Sequence, residues 1–107
     1  MPIPIASDHA GLPLKQALIA ALQAEGLSFD DLGTHGPESV DYPDFAHAVS
    51  AKVAGTEGFG ILVCGTGIGM AIAANRHPGI RAAVLHNATE ARLTRAHNNA
   101  NIACLGA

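Results

Sequence analysis

Five short apolar runs, at residues 3–7, 27–32, 60–64, 80–85 and 101–105, alternate with four stretches of helical periodicity, and this alternation limits the folds open to the chain. Strand and helix repeated over short links favour a parallel sheet whose crossovers place helices on both faces. The run at 60–64 (GILVC) is apolar throughout, as a strand buried on both faces requires. Leu14, Leu18 and Leu22 recur every four residues beside Ala17 and Ala21, so a first helix is expected to turn Lys15, Gln16 and Gln23 to the other face and to stop near Gly26. Phe45, Val49 and Val53 set a second helix over 42–54, with Asp41 as N-cap candidate and Pro43 tolerated in its first turn. A third helix over 70–76 is stopped by Pro78. Asn87, with Glu90 three residues on, carries a capping-box signature for a fourth that reaches about His97. The run at 27–32 is the weakest strand, since Asp30 and Asp31 sit inside it, and the composition of loop 33–39 permits mobility.

The chain has 107 residues, one domain's worth, and residues 1–107 read as a single domain without internal repeat. With 49% hydrophobic residues and no Trp, its core must be built from Ala, Ile, Leu and Val. A formal charge of −3 offers no field for nucleic acid or anionic lipid, and no run approaches the length of a membrane span, so neither partner is expected. The start lacks the pattern of a signal peptide, and Cys64 and Cys104 both lie in apolar runs. Two free thiols in a reducing cytoplasm are the expectation.

Ligands of open parallel sheets collect at the carboxyl ends of the strands. Asp8 and His9 follow the first run, Cys64 and the turn GTGIG (65–69) follow the third, His86 and Asn87 follow the fourth, and His97 with Asn98 precede the last. A Gly-x-Gly-x-Gly turn between strand and helix aims backbone N–H groups at an anion, or simply allows close packing. It is neither the dinucleotide fingerprint nor the G-x-x-x-x-G-K-[ST] phosphate loop. Cys64 lies where a helix N-terminus favours negative charge, which makes it a candidate base or nucleophile; an inert buried Cys is the alternative, and the one that suits Cys104. Asp8 and His9 can equally be an N-cap and a surface residue, and His97 a cation near a helix end. A zinc site from Cys64, His86, His97 and Cys104 has no supporting ligand spacing, so metal-free acid–base chemistry fits better. His35, His47 and His77 receive no role.

Taken together, ASDHAG (6–11), DYPDFA (41–46), CGTGIGMAIAANRHPGIRAA (64–83) and ARLTRAHNNANI (91–102) resemble the type B ribose-5-phosphate isomerases of the family that also includes galactose-6-phosphate isomerase. The resemblance implies a three-layer, Rossmann-like α/β/α sandwich with a five-stranded parallel sheet of order 2-1-3-5-4. It implies a homodimer or dimer of dimers, and interconversion of ribose 5-phosphate and ribulose 5-phosphate without cofactor or metal. Carried over by position, Cys64 resembles the base that moves a proton between C1 and C2 through an enediolate. Gly65, Thr66, Gly67, Ile68 and Gly69 supply the oxyanion donors, and Thr66 positions the thiol or a substrate hydroxyl. His97 resembles the acid that opens the furanose ring, Asn98 a hydroxyl ligand, Asp8 and His9 paired binding residues, and Tyr42 a pocket wall. A six-carbon substrate, allose or galactose 6-phosphate, fits the same pattern. Family members continue past the last strand into a helical segment bearing phosphate-binding arginines, whereas this sequence stops at Gly106 and Ala107. The phosphate grip and the dimer packing are therefore the parts expected to differ, and a weakly catalytic sugar-phosphate-binding protein is the alternative.

Overall fold

The computed structural model describes residues 1–107. The elements follow in the order β1 (Ile3–Ser7), α1 (Leu12–Gln23), β2 (Phe29–Asp31), α2 (Tyr42–Val53), β3 (Gly60–Cys64), α3 (Ile68–Ala74), β4 (Ala82–Val84), α4 (Ala88–Asn98) and β5 (Ile102–Gly106). All neighbouring strands pair in parallel, in the order β2-β1-β3-β5-β4. The crossovers from β1 to β2 and from β4 to β5 step one way along the sheet and the other two step the opposite way. Right-handed connection therefore puts α1 and α4 on one face and α2 and α3 on the other.

The two faces are unequally packed. Ala46, Val49 and Val53 of α2 and Met70, Ala71, Ala73 and Ala74 of α3 close over Ala6, Leu62, Cys64, Ile102 and Cys104, which point to the same side of β1, β3 and β5. Small side chains let both helices approach the sheet closely. On the opposite face Ile5 and Val63 are buried, yet Leu14, Leu18 and Leu22 of α1 are only half-buried and α4 buries no residue fully. No helix is long and apolar enough to cross a membrane.

Lys15 departs from the sequence reading. It is wholly buried rather than turned outward with Gln16 and Gln23, while Ala17 and Ala21 are exposed. Its Nζ donates to Asp31 Oδ1 at 2.6 Å and to the Thr34 carbonyl at 2.7 Å, so the cation is matched to two oxygens. Asp31 Oδ1 also accepts from the Gly33 N–H at 3.0 Å. The aspartates that weaken β2 as a strand thus have partners, for Asp30 pairs with Lys52 at 3.7 Å across the surface. Loop 33–39 is tied rather than loose at its start: Ser7 N–H donates to the Gly33 carbonyl at 2.7 Å, and Thr34 N–H to the Ser7 carbonyl at 2.8 Å.

Several boundaries differ from expectation. Helix α3 begins at Ile68, two residues early, because Gly67 takes a left-handed conformation (φ 79°) that starts the helix at once. Strand β4 is confined to Ala82–Val84, since the Ile80 N–H donates to the His77 carbonyl and the Arg81 N–H to Asn101 Oδ1 in the turn before it. Asp41 sits at the N-cap of α2 without a side-chain bond to it. Half of the box on α4 forms as expected, with the Glu90 N–H donating to Asn87 Oδ1 at 2.8 Å; the returning Glu90 carboxylate accepts from the His86 N–H at 2.8 Å, one residue before the N-cap. That backbone bond, assisted by the His86 side chain, holds the Glu90 carboxyl below its ordinary value, so the contact is lost as pH falls through the acid range.

Breaking a buried pair from one side leaves an unmatched charge. Asp31→Ala, which strands the Lys15 cation, is expected to lower stability by about 3 kcal/mol in urea unfolding, and Lys15→Met by less, because Asp31 is 26% exposed and keeps its bond to Gly33.

Candidate active site

The carboxyl edge of the sheet gathers most of the candidate residues. Cys64 closes β3 and is only 5% exposed, and its Sγ accepts from the Gly67 N–H at 3.1 Å. The turn that follows is pressed against the end of β5. A Cβ at Gly67 would lie 3.0–3.2 Å from backbone atoms of Cys104 and Leu105, in a conformation that side chains rarely adopt. At Gly69 a Cβ would meet the Tyr42 ring at 2.8 Å, which places that ring beside the turn. Thr66 Oγ1 accepts from the Ile68 N–H at 3.1 Å, which ties it to the start of α3 and leaves its own O–H to donate. Gly65 and Thr66 expose N–H groups with no backbone acceptor. A sulfur that can hold a proton thus sits beside fixed donors for an anionic oxygen, the arrangement that lowers the barrier to removing a proton next to a carbonyl.

Asp8 and His9 flank this turn from the end of β1. Asp8 is buried and its Oδ1 accepts from the Gly11 N–H at 2.9 Å, bending the chain into α1. His9 Nδ1 accepts from the Val40 N–H at 3.1 Å, which leaves Nε2 as the ring nitrogen that donates. One contact therefore joins β1 to the far end of the loop that Lys15 holds at its start. The contribution of Lys15 was missed at the sequence level, although its spacing from Leu18, Ile19 and Leu22 is that of the inward face.

His97 and Asn98 lie elsewhere. Helix α4 runs from the carboxyl end of β4 to the amino end of β5, and the Asn98 carbonyl accepts from Arg81 just before β4 begins. Register pairs Gly60 with Ile102 and Cys64 with Gly106, so within one chain these two residues are separated from Cys64 by the length of a strand, roughly 13 Å. No group of three or more His, Cys, Asp or Glu side chains is placed to hold a metal, and Cys64, His86, His97 and Cys104 do not converge. Nor does the largest cavity, 480 Å³, mark this edge; it opens at the other end between Ile3, Pro4, Val53 and Phe59.

Cys104 sits on the same face as Cys64, one strand over and two positions back. Burial first, and the neighbouring Cys64 second, push its thiol up to about 12. The diagonal offset sets the two Cα atoms about 8 Å apart, too far for a disulfide, and both thiols are free.

A family model described as Ribose/Galactose Isomerase matches residues 3–107. The chain belongs to the ribose/galactose isomerase family. It is 45% identical over 100 residues to ribose-5-phosphate isomerase B of Escherichia coli (strain K12), a match that covers 92% of this chain and 67% of that protein. The structure superposes on ribose-5-phosphate isomerase B of Clostridium thermocellum with a TM-score of 0.94 and 52% identity, covering 99% of this chain and 72% of that one. The Mycoplasma genitalium isomerase B, solved with bound ribulose 5-phosphate, matches with a TM-score of 0.90 and 41% identity over 98% of this chain and 71% of its own.

The two thiols should separate by reactivity, because alkylation needs thiolate. At about pH 8 a thiol raised to about 12 is ionised in roughly one molecule in ten thousand. Iodoacetamide followed by peptide mass spectrometry is expected to label Cys64 in the folded chain and to reach Cys104 only after denaturation.

Proposed function

We propose that this chain is an aldose–ketose isomerase that interconverts ribose 5-phosphate and ribulose 5-phosphate. The observation that carries the reading is the Cys64 sulfur held under the Gly67 N–H, beside the unpaired Gly65 and Thr66 amides. In the open-chain aldose, the Cys64 thiolate takes the proton from C2 and the electron pair moves through C1 to the carbonyl oxygen, giving an enediolate. The backbone N–H groups receive the charge on that oxygen as it forms. The thiol then returns the proton to C1, while the C2 hydroxyl loses its own proton to the oxygen on C1, and the ketose results. His9 Nε2–H and Asp8 orient sugar hydroxyls, and Tyr42 walls the pocket; no metal or organic cofactor has a part. Unpaired buried thiols suit a reducing cytoplasm, where we place the reaction. Residues 1–107 act as one catalytic domain.

The distance between Cys64 and His97 makes a second copy part of the reading. His97, as ring-opening acid, and Asn98, as hydroxyl ligand, reach a Cys64 edge only if a partner copy supplies them. A two-fold homodimer closes two such sites at once. Tyr42, Ile68 and Ile72 support this arrangement: they are 38%, 54% and 63% exposed beside the site and offer a second copy apolar surface to bury.

Isomerisation of ribose 5-phosphate, with allose and galactose 6-phosphates as competitors, tests the activity and the sugar. Cys64→Ala is expected to lower kcat by at least about 10²-fold and to stop proton exchange at C1 and C2 with the fold intact. Retention of most turnover by that variant would remove Cys64 as the base. The composite site has its own test. Cys64→Ala and His97→Asn chains are each expected to be inactive, and equal mixtures that exchange subunits should regain about a quarter of wild-type activity, since half the dimers then hold one intact site. No recovery on mixing would place His97 and Cys64 in the same chain's site.

A further inference from the structure

Outside the carboxyl edge, two imidazoles meet across separate elements. His47 lies on the outer side of α2, and His77 follows α3 in the turn to β4. His47 Nδ1 and His77 Nε2 face each other at 2.7 Å, with the ring centroids 4.9 Å apart and the planes inclined by 54°. His47 is exposed and His77 half-buried, so water reaches the pair. Neither ring touches the Cys64 turn, and the isomerisation uses neither.

We propose that His47 and His77 form a two-imidazole site for a borderline divalent transition metal ion of the zinc, nickel or copper type. A single proton now lies between the facing nitrogens. Moving the donor ring's proton to its other nitrogen leaves two lone pairs directed at one point, with His47 Nε2–H and His77 Nδ1–H still facing outward. Imidazole nitrogen is the ligand these cations favour, and it selects them over magnesium and calcium. Zinc at about 2.05 Å from each nitrogen in tetrahedral geometry needs the nitrogens about 3.3 Å apart. The rings must therefore separate by about 0.6 Å from their present 2.7 Å, a small side-chain rotation at the surface. Water completes the coordination, and Asp44, one turn before His47 on α2, adds negative charge on the same side of the helix. Arg76 is the neighbouring positive charge, and it is exposed to solvent. Bound there, the ion would clamp α2 to the turn that ends α3, joining the two helices that cover the better-packed face.

Zinc alone is the probe, titrated into a Cys64→Ser chain so that no reactive thiol competes. Calorimetry at about pH 7.5 is expected to give one ion per chain, with ¹H–¹⁵N imidazole spectra shifting only at His47 and His77. His47→Gln and His77→Gln, which keep a hydrogen-bonding side chain, should each weaken binding by about tenfold or more, and His35→Gln should not. Binding should also weaken as pH is lowered, because protons and the ion compete for the same two nitrogens. Thermal unfolding should shift upward with zinc in the parent and not in the two variants. Absence of binding up to about 1 mM zinc, or equal binding by both variants, would overturn the site.

Discussion

The pairing of β3 with β5 is the constraint on which the rest of the molecule depends. It carries the sheet through its centre, sets Cys64 beside Gly106, and gives the 65–69 turn a backbone surface to rest on. The bond from the Ala107 N–H to the Cys64 carbonyl, 2.9 Å, continues this ladder past the last paired residue. A turn fixed from below has few ways to move, and fixed donors are what a developing oxyanion requires. The activity proposed for the chain thus depends on strand register before it depends on any side chain.

The two ends of the sheet have different work. At the carboxyl end, His9 and Lys15 tie one loop from two directions, and Tyr42 leans on the glycine turn. At the amino end, α4 delivers His97 and Asn98 beyond reach of their own Cys64. A sequence can hold all the residues of a reaction while the fold assigns them to separate edges. Under the function proposed for the chain, association is a condition of chemistry rather than an addition to it.

Much of this was legible in the residues. The strand–helix alternation predicts the parallel sheet, and the continuous run at 60–64 predicts its most buried strand, because both follow from local burial patterns. Lys15 was misplaced because side-chain polarity was read ahead of spacing, and its partners on Asp31 and Thr34 come from outside its own helix. The late start of β4 depends on Asn101, whose side chain holds the Arg81 N–H from outside the strand. The ends to which His97 and Cys64 are carried are set by strand direction, which no motif records. Contacts distant in sequence account for the limits of β4 and the separation of His97 from Cys64, and short-range periodicity for the alternation of strands and helices.

Asn75 has a consequence for the outer edge of the sheet. Its side-chain amide donates to the Ala82 carbonyl at 2.9 Å and accepts from the Ala82 N–H at 2.7 Å, as a neighbouring strand would. β4 is an edge strand, and an open edge invites strands from other molecules. A single side chain here imitates the missing neighbour and occupies the first docking point of any sheet that might grow outward from this side. The backbone of Ala82 is thereby closed to a strand from another molecule, and growth of the sheet by edge-to-edge stacking is hindered where this edge begins.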